Sequence, residues 1–308
     1  MKLFFAGSPF SSAVVLKSLV AQGLTPELVI TQPDRPYGRK QLVTPSEVST
    51  QASLIGLKTL KPETLDHDFV KSLLKFDRPD FLVVSAYGKI LPTRILDLPL
   101  VAPINIHFSI LPKYRGASPI QESLINSDYE FGYSIMKMDA GLDTGPVYFS
   151  KKIFCDDFAT KIDIEKKIAD DAALELPNIL RRISAGDLLP INQDDSKTSI
   201  CRKIQKSSGL LSNKLSSNKI QNMFRAYFGW PGIYLYFRNM NIKIHGIKMV
   251  DPDKIPNFTK EMVGFYNKEL FYKTSDGSIV ITHLQIPGKK IISSKDLWNS
   301  NQKIFEEL

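Results

Sequence analysis

Short apolar runs separated by amphipathic stretches set the rhythm of the first half of this chain. Residues 2–6 are apolar and β-prone, and Gly7-Ser8-Pro9 turns them. Residues 10–21 carry Val14, Val15 and Leu19 at helical spacing. A second strand is expected over 28–31, a helix from Pro45 and Ser46 to about Leu54, and a short strand over 57–60. A helix over 65–76 and a buried strand over 81–85 follow. Residues 104–107 read as the next strand, with a helix near 119–125. Residues 133–138 and 147–154 read as strands flanking a glycine-bearing loop, and 160–185 as a long amphipathic helix. Apolar strands alternating with helices predict an α/β domain whose parallel sheet is covered on both faces.

The pattern changes after residue 189. Residues 190–208 are polar, rich in Asp, Ser and Lys, and without clear periodicity, which reads as a linker. Beyond it, a helix over 217–226 precedes short strands over 233–237, 242–250, 262–267, 270–274 and 279–284. Short strands joined by polar turns predict a small barrel. A length of 308 residues fits two domains. The expected division is 1–189, a linker over 190–208, and 209–308.

Charge sharpens this division. The net charge is +8, but residues 201–308 hold 17 Lys and Arg against 8 Asp and Glu. The first 200 residues are nearly neutral. A neutral half joined to a basic half suggests catalysis in one and polyanion binding in the other. No apolar run approaches a membrane span, and the first residues form a strand rather than a secretory signal, so a cytoplasmic protein with no membrane partner is expected. Cys155 and Cys201 make no metal-binding spacing and are expected as reduced thiols; no metal is assigned to the histidines.

Candidate chemistry gathers at Asn105 and His107, two residues apart on one expected strand, so both side chains share a face. Asp143 follows within Gly141-Leu142-Asp143-Thr144-Gly145. An amide donor, an imidazole and a carboxylate are the groups an acyl-type transfer needs. Gly7-Ser8-Pro9 is not the Gly-x-Gly-x-x-Gly of dinucleotide folds, which disfavours a nicotinamide cofactor. Open α/β sheets bind ligands beyond the C-terminal ends of their strands, where Tyr87-Gly88-Lys89 and the loop after His107 both fall.

Asn105-Ile106-His107, the Ser109-Ile110-Leu111-Pro112 loop and Asp143 between glycines together resemble the formyltetrahydrofolate-dependent formyltransferases. Thr31–Arg39, Ala86–Pro92, Arg225–Gly232 and Leu284–Lys290 are similar to the branch of that family acting on charged initiator tRNA. The resemblance spans nearly the whole chain. It implies a Rossmann-like formyltransferase domain followed by an OB-like β-barrel. It implies transfer of a formyl group from 10-formyltetrahydrofolate to the amino group of initiator methionyl-tRNA, by a monomer.

The resemblance makes Asn105, His107 and Asp143 the catalytic set. Ser109, Ile110, Leu111 and Pro112, with Lys89, Ile90 and Leu91, would line the folate. Arg35, Arg39 and Lys40 on one loop, Lys203 and Lys206 at the linker's end, and Lys289 and Lys290 at a hairpin tip would meet tRNA phosphates. Three positions depart from the family pattern. Phe108 replaces a small residue, Arg39-Lys40-Gln41-Leu42 is less basic than usual, and Ser207–Ser212 lacks an acid and a Trp. A formyltransferase acting on a small amine, such as an amino-sugar nucleotide, would share the catalytic set without needing the basic half. A non-catalytic RNA-binding protein would not need the set.

Overall fold

Five of the apolar runs form the parallel centre of a seven-stranded sheet. The computed structural model describes residues 1–38, 41–251, 256, 261–300 and 304–306. Strands β1 (Leu3–Gly7) and β2 (Leu28–Ile30) are wholly buried. A short hairpin, β3 (Arg35–Tyr37) with β4 (Leu42–Thr44), stands outside the sheet. β5 (Thr59–Leu60), β6 (Phe81–Ser85) and β7 (Ala102–His107) complete the parallel order β5-β2-β1-β6-β7. Wholly buried strands such as β1 and β6 read as continuous apolar runs because helices cover both faces.

Local signals explain the helices on that sheet. α1 (Phe10–Ala21) buries Val15, Leu16 and Leu19. α2 (Glu47–Leu54) starts where the Ser46 hydroxyl accepts from the Ser49 N–H, and α3 (His67–Leu73) where Asp66 accepts from Phe69. α3 starts two residues later than the apolar pattern suggests, because Asp66 caps it there, and it ends at Leu73. A single turn, α4 (Thr93–Leu96), follows β6.

The sheet is extended beyond its parallel part. After β8 (Arg115–Gly116) and α5 (Pro119–Ile125), β9 (Gly132–Lys137) pairs antiparallel with β7, and β10 (Val147–Lys152) antiparallel with β9. α6 (Lys161–Ala185) is the expected amphipathic helix, burying Ile164, Ile168, Ala172, Leu176 and Ile183.

The chain forms two compact units: residues 1–120, 130–156 and 163–202, and residues 121–129, 157–162 and 203–308. The expected linker is therefore corrected. Residues 190–202 belong to the first unit, where Ile191 bridges Val147 and β11 (Ile200–Cys201) runs parallel to β8. The segment is polar because it lies at a surface, and its order comes from backbone pairing, which leaves no periodic pattern.

The second unit is built on an antiparallel sheet. It comprises α7 (Ser217–Ala226), β12 (Ile233–Phe237), β13 (Met240–Met249), β14 (Val263–Tyr266), β15 (Glu269–Lys273), β16 (Ser278–Gln285), β17 (Ile292–Ser293) and α8 (Ser294–Asn299). The order is β12-β13-β16-β15-β14, with β17 added on β16. β13 shifts register at Gly246, bending the sheet as a half-barrel requires. Leu210 bridges Tyr234 in parallel and covers the outer edge of β12.

Candidate active site

β7 presents Asn105 and His107 on one face at the C-terminal end of the parallel strands, as the period-two reading requires. Asp143 comes from the loop between β9 and β10 and meets both. The Asn105 Nδ2 donates to Asp143 Oδ1 at 3.3 Å, and His107 Nδ1 lies 3.5 Å from Asp143 Oδ2. The Gly116 N–H donates to the same Oδ2 at 2.8 Å. Among the described residues, Asn105 makes no other side-chain hydrogen bond, so one amide N–H is open. The His107 Nε2 lies 2.9 Å from the Tyr114 carbonyl. Both ring nitrogens thus face oxygens, and both contacts become hydrogen bonds only when both nitrogens carry protons.

The loop holding Asp143 is tightly wound. Asp143 itself has a left-handed backbone, φ +53°. Gly145 is required by close approach, since a Cβ there would lie 1.8 Å from the Lys137 carbonyl oxygen. Asp139 Oδ1 closes the turn from within, accepting from the Gly141 N–H at 3.0 Å and the Thr144 hydroxyl at 2.8 Å. From outside, Gln193 Nε2 donates to the carbonyls of Asp143 at 2.8 Å and Gly145 at 2.7 Å.

The opposite wall is fixed by β8 and β11. The Ser199 hydroxyl and carbonyl accept from the Tyr114 and Arg115 N–H groups, each at 2.9 Å. The buried thiol of Cys201 donates to the Tyr114 carbonyl and accepts from the Ser118 N–H, both at 3.3 Å. Gly116, at φ +121°, lets these strands close, because a Cβ there would lie 2.2 Å from the Cys201 carbonyl oxygen. Gly116→Ala is therefore expected to cost about 1–3 kcal/mol, read by calorimetry as a fall of roughly 2–10 °C in Tm. A Tm within a degree of the parent would show that the strands part without cost.

The expected folate-lining residues split in role. The buried Ser109 hydroxyl donates to the Lys113 carbonyl at 2.6 Å, and its carbonyl accepts from Ser134 at 2.8 Å. The Leu111 N–H donates to the Ser134 hydroxyl at 2.9 Å. These polar groups shape their own loop, and Leu111 is buried, while Ile110 and Pro112 are half-buried. Lys89 Nζ donates to the carbonyls of Pro62 and Glu63, each at 2.7 Å. Leu91 packs in the core and Ile90 is exposed. The neighbouring Tyr87 hydroxyl is buried, which pushes its pKa up to about 12 and keeps it a neutral phenol.

The described basic residues are divided between the two units. Arg35 lies in the first unit and pairs with Glu63 at 2.6 Å. Arg39 and Lys40 lie outside the described residues. Lys203, Lys206, Lys289 and Lys290 are exposed residues of the second unit.

Sequence reasoning misses Tyr114, Gly116, Ser134 and Gln193. Three of them act through backbone groups or a single hydroxyl, which no spacing pattern marks. Gln193 sits in the segment read as linker. The buried Arg115, whose guanidinium donates to Gln193 and Asp195, is the signal that could have found it, because an arginine in that position demands acceptors from elsewhere.

A mixed α/β sheet bearing an Asn–His–Asp cluster at its strand ends, followed by an antiparallel half-barrel, has counterparts among known proteins. Residues 3–180 match the family model described as Formyl transferase, and residues 203–302 match Formyl transferase, C-terminal domain. The chain belongs to the formyl transferase family. A relative named methionyl-tRNA formyltransferase, from Caldicellulosiruptor saccharolyticus, is 36% identical over 303 residues, covering 97% of this chain and 96% of that protein. One of the same name from Campylobacter curvus is 36% identical over 309 residues, covering 99% and 98%. An N-formyltransferase from Helicobacter canadensis, solved with folinic acid and dTDP-3-aminofucose, shares the fold at a TM-score of 0.66 and 18% identity, covering 91% of this chain and 98% of that one. The two family matches leave residues 181–202 between them, Gln193 included.

Proposed function

We propose that this chain transfers the formyl group of 10-formyltetrahydrofolate to the amino group of initiator methionyl-tRNA, giving N-formylmethionyl-tRNA and tetrahydrofolate. The observation that carries the chemistry is the convergence of Asn105, His107 and the Asp143 loop at the end of β7. The near-full-length likeness to proteins named methionyl-tRNA formyltransferase supports the acceptor.

In the reaction, the methionyl amine attacks the formyl carbon, forming a C–N bond and an oxyanion. The open N–H of Asn105 donates to that oxyanion without changing protonation state. Asp143 accepts the proton that the attacking amine loses, directly or through water. The tetrahedral intermediate collapses, its bond to the folate nitrogen breaks, and that nitrogen leaves with the proton Asp143 took up, returned directly or through water. His107 acts on Asp143 in the geometry described, since its ring nitrogens face Asp143 and the Tyr114 carbonyl. Direct donation from Nε2 to the oxyanion would require that nitrogen to leave Tyr114. The donor set suits a formyl oxygen, and the exposed Ile90 beside the same strand ends leaves apolar surface for a folate ring.

The test is transfer of labelled formyl from the folate to charged initiator tRNA, beside uncharged tRNA and an amino-sugar nucleotide. Label on the charged tRNA alone is expected. Label on the sugar nucleotide instead would replace this reading with the small-amine one. Arg39 supplies a second check, as a cation on the loop expected to meet the acceptor end. Arg39→Ala is expected to weaken formylation of methionyl-tRNA while leaving folate affinity nearly unchanged. The reverse pattern would remove that loop from the tRNA contact.

A further inference from the structure

We propose that Gln193 is a positioning residue of the transfer reaction, holding the Asp143 loop so that its carboxylate stays between Asn105 and His107. This role rests on the formyl-transfer reading. The left-handed backbone of Asp143 is a minority conformation for a residue with a Cβ, one that Asp adopts more readily than most, and contacts that hold it fix where its carboxylate points. The contacts from Asp139 close the turn but move with the loop. Gln193 reaches it from a separate segment and binds the carbonyl of Asp143 itself and that of Gly145.

The amide is held at both ends. Its NH₂ serves two carbonyls, and its Oε1 accepts from Arg115 Nε at 2.9 Å, so its orientation is fixed from both ends. Arg115 is buried, and its other contact is Asp195 at 2.8 Å. The same arginine belongs to β8, which sends the Gly116 N–H to Asp143 and, one residue earlier, the Tyr114 carbonyl to His107. One side chain thus joins the two loops that carry the partners of His107. The segment is secured to the first unit at both ends, by the Ile191–Val147 bridge and by β11 on β8. Shifting Asp143 by about an ångström would leave His107 and Asn105 in place without their common partner.

The experiment uses the full-length protein with Gln193→Ala and Gln193→Glu. Glutamate keeps the volume and the acceptor for Arg115 but replaces both donors with an anion facing two carbonyls. It carries the test should the alanine variant not fold. Gln22→Ala is the matched control, because Gln22 also donates from Nε2 to a main-chain carbonyl, that of Ala173 in α6, in the same unit. The Gln193 variants are expected to lose on the order of 100-fold in kcat, with KM for folate and for methionyl-tRNA changed by less than about threefold, while the control retains kcat. In the free protein, ¹⁵N resonances of the His107 ring should move in the Gln193 variants and stay in the control. That spectroscopic arm does not depend on the acceptor. If the parent protein formylated nothing, the formyl-transfer reading would fall while the ring shifts still reported on positioning. Unchanged ring resonances, unchanged kcat, or a kcat loss that tracks Tm equally in Gln22→Ala and Gln193→Ala would each overturn the proposal.

Discussion

His107→Ala and Asp143→Ala are each expected to lower kcat for formyl transfer by roughly 10²–10⁴-fold while the protein remains folded. The two losses should not multiply. Asp143 receives Asn105, Gly116 and His107 together, so removing it leaves His107 with no carboxylate to act on. Removing His107 leaves the carboxylate without its imidazole neighbour. Groups that work as a unit show this non-additivity, and the double variant should be about as slow as the slower single one. Asp143→Ala should also cost stability, because the Gly116 N–H and the Asn105 amide lose their acceptor, a penalty of about 1–3 kcal/mol per group left unsatisfied. Kinetics must therefore be measured well below each variant's Tm, with circular dichroism confirming the fold. Single-turnover transfer near the parent rate for either variant would remove these residues from the chemistry.

The second large effect concerns the basic half. Replacing Lys203, Lys206, Lys289 and Lys290 with alanine is expected to weaken methionyl-tRNA binding and to flatten its response to salt. All four are exposed, and none holds an ion pair among the described residues. Each phosphate a lysine neutralises releases counterions. The log–log salt slope should therefore lessen by about 0.9 for each duplex phosphate no longer neutralised, about 3.6 if all four lysines engage. Folate affinity should stay unchanged. Substitution is a sounder test than removing everything after residue 189, because β11 and Gln193 belong to the first unit and would go with the cut. An unchanged salt slope in the quadruple variant would take these lysines out of RNA binding.

Much of this architecture is visible in the order of residues. Strands β1, β2 and β6 declare themselves because each is a short, wholly buried apolar run whose covered faces demand uniform hydrophobicity. Asn105 and His107 could be placed on one face because strand geometry alternates side chains without exception along so short a run. The hidden parts are those in which backbone does the work. The β8–β11 pair is two residues long on each side and has no pattern to display. The membership of 121–129 and 157–162 in the second unit is similarly silent, since these segments carry no composition shift. Arg35 illustrates a different gap. Its charge is legible, but its pairing with Glu63 depends on a fold that brings together residues far apart in the chain.

The late arrival of β11 has a consequence for how the protein is made. A ribosome synthesises Asn105, His107 and Asp143 well before it reaches Gln193 and Cys201, with the whole of α6 in between. The bonds that complete the site span long stretches of chain: 87 residues from Cys201 to Tyr114 and 78 from Gln193 to Arg115. Contacts of such separation form late, because the intervening loop must be ordered before they are rewarded. Until Gln193 has been synthesised, the Asp143 loop of the emerging chain lacks its outer tether. Competence for catalysis should not appear before residues up to Cys201 have cleared the exit tunnel, however much of the sheet has already folded.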